Sequence, residues 1–220
     1  MNVYPIYLNR LHEKKTIIIG GNHEAERKVN ELLERDAQLT VISPELNDNL
    51  LKWADKERFE WIPRLYQEGD LQGAFMVIVA EFEGDLNQRV YNEAEKLGIL
   101  VNVMDDIPHA NFSFGSVVKR GPLTISISTS GAAPTLAVRL RQRFEKEFGE
   151  EYDPFLTLMQ NLRDPMSRHY PDFEQRKNLW YRLIDSEALD LFRKGKKDDA
   201  YELIGEILGR EVLEEVIVES

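Results

Sequence analysis

The chain has no cysteine in its 220 residues. Disulfide bonding, a thiolate zinc site, an all-cysteine iron–sulfur cluster and a cysteine nucleophile are therefore excluded. The nitrogen ligands that remain are four histidines, His12, His23, His109 and His169. They are too scattered to suggest a metal site, and none is assigned. Basic charge is also scarce, with 28 Lys and Arg against 39 Asp and Glu, a formal net charge of −11. Phosphate contacts supply most nucleic-acid affinity, so an acidic chain with no basic block is a poor nucleic-acid binder. The same sign argues against docking on an anionic membrane. Long apolar runs are missing as well: none approaches the roughly 18–20 residues needed to span a bilayer. The N-terminal MNVYPIYLNRLHEKK lacks the basic-then-apolar layout of a signal peptide. A soluble, cytoplasmic protein is expected.

What is present is ordinary globular composition, 42% hydrophobic and 30% charged, in a chain long enough for a sizeable core. Residues 1–112 alternate short apolar runs with amphipathic stretches. Strands are predicted at Thr16-Ile17-Ile18-Ile19, Gln38–Ile42, Phe59–Ile62, Phe75–Ala80 and Leu100–Val103. Helical patterns follow Gly20-Gly21 and cover Asn47–Lys56 and Asp85–Leu97. The run Phe75–Ala80 is unbroken, as expected of a strand covered on both faces. This alternation implies βαβ units and a Rossmann-like, doubly wound parallel sheet in an α/β protein. From residue 113 to 149 the pattern changes. Strand-like runs at Phe114–Val118 and Leu123–Ser128 flank the turn chemistry of Lys119-Arg120-Gly121-Pro122, and a helix runs from Thr135 to about Phe148. Residues 150–220 read as purely helical, with Phe155, Leu156, Met159 and Leu162 as one stripe and Leu179, Leu183 and Ile184 as another.

Gly20-Gly21-Asn22-His23-Glu24-Ala25 stands where the dinucleotide fingerprint G-x-G-x-x-G/A belongs, between the first strand and first helix. Gly20 suits the tight turn, and Ala25 lets the helix approach the sheet. The middle glycine, which normally lets backbone amides reach the pyrophosphate, is Asn22. Its side chain narrows the gap, although asparagine tolerates the left-handed conformation well. Glu24 favours the helix dipole but opposes a diphosphate. The position about 20 residues on that meets the ribose falls on Ser43, or on Glu45 with a longer reach. The loop by itself is equally compatible with an ordinary βα turn.

A second, ordered set of residues is more specific: Asn102-Val103-Met104-Asp105, Arg120-Gly121-Pro122-Leu123, Ile127-Ser128-Thr129-Ser130-Gly131-Ala132-Ala133-Pro134, then Leu136-Ala137 and Arg139-Leu140-Arg141. With Pro5-Ile6-Tyr7-Leu8 and Ala25-Glu26-Arg27-Lys28, this set resembles the precorrin-2 dehydrogenase/sirohydrochlorin ferrochelatase family. That family includes the N-terminal part of siroheme synthase, and the resemblance covers about residues 2–148.

The resemblance implies NAD-dependent oxidation of precorrin-2 to sirohydrochlorin, in some members with insertion of ferrous iron. It further implies an NAD-binding domain, a dimerisation region at 113–149, a helical C-terminal domain at 150–220 and a homodimer. Asp105 matches the family's aspartate at the end of a parallel strand. There a carboxylate can move the proton that dehydrogenation or metal insertion releases; the bland alternative is a loop-capping residue like Asp106. Gly20, Gly21, Asn22, His23, Glu24, Ser43, Ala80 and Glu81 are the candidate cofactor residues. Lys119, Arg120 and Arg139 suit the carboxylates of a tetrapyrrole. Ser128, Thr129 and Ser130 can donate to the same groups, Thr129 at the place of a family serine. The departures lie on the cofactor side. The family's G-G-G-x-V-A becomes Gly20–Ala25, and its A-T-D-D becomes Ala80-Glu81-Phe82-Glu83. Each change introduces a glutamate. Two other readings stay open: a tetrapyrrole metal chelatase without redox work, and a non-catalytic tetrapyrrole-binding relative.

Overall fold

The structure, a computed structural model, describes residues 3–81 and 84–217. Phe82 and Glu83, singled out above, lie outside the described residues. The chain divides into two compact units, Tyr4–Phe114 and, in the main, Gly115–Ser220.

In the first unit β1 (Lys15–Ile19), β2 (Gln38–Ile42), β3 (Glu60–Ile62), β4 (Met76–Val79) and β5 (Leu100–Val103) form a parallel sheet in the order β3-β2-β1-β4-β5. This is the doubly wound arrangement that the alternating pattern predicts. Four consecutive residues of β1, and all of β4, are buried because helices cover both faces. On one side α1 (His23–Leu33) and α2 (Asp48–Ala54) pack Val29, Leu32 and Leu50 with Ile18, Val41 and Ile78. On the other, α3 (Leu86–Leu97) packs Val90 and Ala94 with Ile17, Ile19, Val77 and Val101. Successive strand side chains point to opposite faces, so the single run Ile17-Ile18-Ile19 serves both cores. Each fully buried residue of that size contributes about 1.5–3 kcal/mol.

The register aligns Ile19 with Ile42 and Val79, and Val79 with Val103. The loops that leave β1, β2, β4 and β5 therefore share one edge of the sheet. Chain order reverses between β1 and β4, and the crevice at such a switch point is where open α/β sheets bind ligands.

The segment from β3 to β4 has no helix and is tied down by polar groups. Buried Glu93 of α3 accepts hydrogen bonds from the amides of Gly69 and Leu71, both at 3.1 Å, and from the Tyr66 hydroxyl. Burial, reinforced by that carboxylate, pushes the Tyr66 phenol well above its ordinary range. Arg64 and Asp70 close the segment with two bonds of 2.7 Å.

The second unit begins with the antiparallel pair β6 (Ser116–Arg120) and β7 (Leu123–Ile127). Here the sequence reading needs correction: Lys119 and Arg120 are strand residues, paired with Thr124 and Leu123. Only Gly121-Pro122 turns. Gly121 has φ +52°, as a two-residue hairpin with glycine first requires.

α4 (Pro134–Glu147) follows, then α5 (Tyr152–Asn161), α6 (Arg163–His169), α7 (Phe173–Ile184), α8 (Ala188–Arg193), α9 (Lys197–Leu208) and α10 (Arg210–Ile217). Their core includes Phe155, Leu158, Leu162, Met166, Leu183, Ile204, Leu208 and Val212. Leu158 and Met166, at i+3 and i+4 spacings from their neighbours, replace the expected Leu156 and Met159 at its centre. Ile184, expected inside, is 51% exposed. Among the described residues no helix is long and apolar enough to cross a membrane.

Candidate active site

The loop after β1 is pinned on both sides. Gly20 has φ +123°, and a Cβ there would lie 3.2 Å from the Ala80 carbonyl group. On Gly21 a Cβ would fall 1.9 Å from the Glu45 carbonyl oxygen and 2.8 Å from Ser43 Oγ. The Gly21 carbonyl also accepts the Asn47 amide at 2.9 Å. Ala25, fully buried, brings α1 close to the sheet. These features fit a dinucleotide lying across the switch point.

One side chain stands in that path. Asn22 is the N-cap of α1, and its backbone is extended (φ −87°, ψ −174°) instead of left-handed as its type allows. Oδ1 accepts the amides of Glu24 and Ala25 at 2.9 and 3.0 Å, and Nδ2 donates to the Ala80 carbonyl at 2.7 Å. Asparagine directly before an apolar-periodic helix is itself a capping signal, so this role was open to the sequence reading, which missed it. The charge of Glu24 is answered within α1 by Arg27 at 2.7 Å. His23 is largely exposed and leans toward Glu26 at 3.2 Å. Glu26 also accepts from Asn49 and Asn47 at 2.8 and 2.7 Å, joining α1 to the start of α2. The Asn49 bond, followed by those of His23 and Asn47, holds the Glu26 carboxyl below its usual range.

Ser43 is buried, and its hydroxyl donates to the Glu45 carbonyl at 2.7 Å. That bond braces the loop against Gly21 and leaves only the oxygen's lone pairs for a ribose. Ala80 is buried at the end of β4, and Glu81 next to it is partly exposed.

Asp105 lies just beyond β5, exposed, with φ +58°. Aspartate is among the few residues that adopt this region readily. No hydrogen bond or ion pair engages its carboxylate among the described residues. Its neighbour carries the structural load: Asp106 accepts from Asn87 Nδ2 and meets His109 Nδ1, both at 2.8 Å. The Asn87 bond first, and His109 after it, hold the Asp106 carboxyl below its usual range. His109 Nε2 meets Gln88 Oε1 of α3 at 3.1 Å, so one ring nitrogen is engaged by Asp106 and the other by α3, and neither is open to a metal. Among the described residues no group of three or more His, Asp or Glu is placed to hold a metal ion.

The remaining candidates belong to the second unit. Arg120 is spent on the hairpin and α4: it donates to the carbonyls of Lys119 and Glu145 at 2.8 and 3.2 Å and faces Glu150 at 3.2 Å. Arg141 pairs with Glu145 on its own helix. Lys119 and Arg139 are exposed and make no ion pair among the described residues. In the loop before α4, Ser128 Oγ accepts the Ser130 amide at 3.1 Å and Thr129 Oγ1 accepts the Ala133 amide at 3.2 Å. Each hydroxyl acts there as an acceptor and keeps its proton for a ligand. Ser130 has φ +53°.

The parallel sheet, its glycine loop and the switch-point crevice define a Rossmann-type nucleotide-binding protein with a helical extension. A family model for NAD(P) binding matches residues 8–116. One for the central part of sirohaem biosynthesis proteins matches residues 120–147, and one for the sirohaem synthase dimerisation region matches residues 151–208. Siroheme synthase of Thioalkalivibrio sulfidiphilus is 31% identical over 208 residues, 94% of this chain and 42% of that protein. Siroheme synthase 1 of Aeromonas salmonicida is 31% identical over 212 residues, 96% of this chain and 45% of that one. The chain belongs to the siroheme synthase family and spans less than half the length of these relatives. A solved structure described as SirC, precorrin-2 dehydrogenase, shares the fold. Its TM-score is 0.75 at 23% identity, over 93% of this chain and all of that one. The model named for dimerisation falls on the helical residues 151–208, whereas the sequence reading assigns that role to 113–149.

Proposed function

We propose that the protein oxidises precorrin-2 to sirohydrochlorin with NAD⁺, as a cytoplasmic homodimer in siroheme synthesis. The observation that carries this reading is the unengaged Asp105 carboxylate on the same sheet edge as the glycine loop. When bound, NAD⁺ supplies the acceptor for one hydride from the macrocycle. Gly20, Gly21 and Ala25 allow the dinucleotide to approach α1 and the sheet. Ser43 and Glu45 shape the ribose side, and Ala80 with Glu81 forms the other wall.

Loss of a hydride leaves a proton to be removed, and Asp105, free of partners among the described residues, is the base. A carboxylate held by Asn87 and His109, as Asp106 is, cannot take that role without releasing its loop. The substrate is a polycarboxylate and the chain carries −11, so binding needs a local exception. Lys119 and Arg139, which make no ion pair among the described residues, supply it, with the Ser128, Thr129 and Ser130 hydroxyls as donors, while Arg120 positions the hairpin on α4. The same free carboxylate supports a second reading, in which Asp105 takes pyrrole protons during metal insertion.

Purified protein given precorrin-2 and NAD⁺ should form sirohydrochlorin, followed by absorbance. No turnover together with no NAD⁺ affinity by calorimetry overturns the oxidation. Ferrous ion added to sirohydrochlorin then tests insertion.

A further inference from the structure

We infer that Asn22 is a latch across the nucleotide crevice: its side chain occupies the hydrogen-bonding places a dinucleotide's diphosphate would take, so the cofactor must displace it. This rests on the reading that the crevice takes NAD⁺. In such folds the diphosphate sits on amides at the start of the first helix. Here the amides of Glu24 and Ala25 already donate to Asn22 Oδ1, at 2.9 and 3.0 Å. The amide end of the same side chain crosses to the Ala80 carbonyl at 2.7 Å and joins the end of β4 to the loop of β1. Those two elements are the walls of the switch point.

The backbone does not call for asparagine, because an extended residue is open to any side chain. What asparagine supplies is an acceptor for the helix and a donor for Ala80 together. Aspartate caps equally well but brings no hydrogen to Ala80. The loop cannot yield in its place. The Gly20 amide is tied to the Ile42 carbonyl at 3.0 Å, and the Gly21 carbonyl accepts the Asn47 amide at 2.9 Å. Admission of a diphosphate therefore falls to rotation of the Asn22 side chain, which breaks all three bonds. Affinity for the dinucleotide is set by that exchange, and the glutamate at position 24, already paired with Arg27, is secondary.

The test is calorimetric titration of NAD⁺ into the wild type, Asn22→Gly and Asn22→Asp, with amide hydrogen exchange of residues 24 and 25. Glycine is well tolerated at a helix cap, so the variant folds, and a thermal melt checks it. Asn22→Gly should bind NAD⁺ about 10-fold more tightly, and its two amides should exchange faster than in the wild type without ligand. Asn22→Asp should bind about 10-fold more weakly, since it keeps the cap and adds charge. Equal affinity of wild type and Asn22→Gly overturns the latch and leaves the cofactor reading standing. No binding by any of the three overturns both.

Discussion

Asp105 combines two properties that a structural aspartate does not need: a left-handed backbone and a carboxylate with no partner among the described residues. Asp105→Asn keeps the shape and the conformational tolerance, so it should melt with the wild type and bind NAD⁺ unchanged. The oxidation rate should fall by about 10²–10⁴, the usual worth of a general base; an unchanged rate removes Asp105 from the chemistry. Gly21 makes the opposite case, a residue fixed by packing. Gly21→Ala puts a Cβ 1.9 Å from a backbone oxygen, and backbone cannot swing aside as a side-chain tip can. It should cost about 1–3 kcal/mol, read as a lowered urea midpoint, and disturb the cofactor loop with it. Both positions were legible, because an aspartate and a glycine pair at strand ends are local signals. The partners of Ser43 and Arg120 were not: a hydroxyl turned to the Glu45 carbonyl, and a guanidinium spent 25 residues away on Glu145, depend on tertiary placement.

At the scale of elements, parallel strands buried on both faces are read easily as apolar runs. β2 and β5 match their predicted limits, and β1, β3 and β4 do so within a residue at either end. β6 runs two residues further than expected, because Gly121 turns the chain in two positions and lets Lys119 and Arg120 pair. The connection between β3 and β4 left no periodic signal at all. Its order comes from Glu93, 27 residues beyond Tyr66, and from the Arg64–Asp70 pair. The Arg64 bond, with the amide of Gln67 assisting, holds the Asp70 carboxyl below its usual range. A depressed folded-state value stabilises above the unfolded value, about 3.9, and is lost as pH falls through the folded one. Asp70→Asn should therefore cost about 1 kcal/mol at neutral pH, discounted for the partly exposed Arg64. Urea melts of the two proteins should converge as the pH drops below about 4. A constant difference down to pH ~2 would show that the effect is packing and not charge.

For the molecule as a whole, apolar groups left uncovered argue for a second copy. The β6–β7 hairpin and α4 bury only Val118 and Ala137 fully, and an isolated two-stranded hairpin is marginal in water. Leu136 is 51% and Val138 43% exposed on α4, and in the helical bundle Phe173 and Tyr181 are 64% and 60% exposed. A second copy that covers such side chains as one contiguous apolar patch would remove them from water. A net charge of −11 opposes association at long range but is screened within about 8–10 Å at ordinary ionic strength, so apolar contact decides. Sedimentation at micromolar concentration should give twice the chain mass. Leu136→Asp combined with Val138→Asp, which places charge where the dimer would bury leucine and valine, should return it to a single chain. NAD⁺ binding to the first unit should survive in that variant, because the Asn22 loop and its supports lie wholly within Tyr4–Phe114. A wild-type protein that sediments as one chain removes the homodimer. A double variant that stays dimeric instead moves the interface off α4 and onto the helices of residues 151–208.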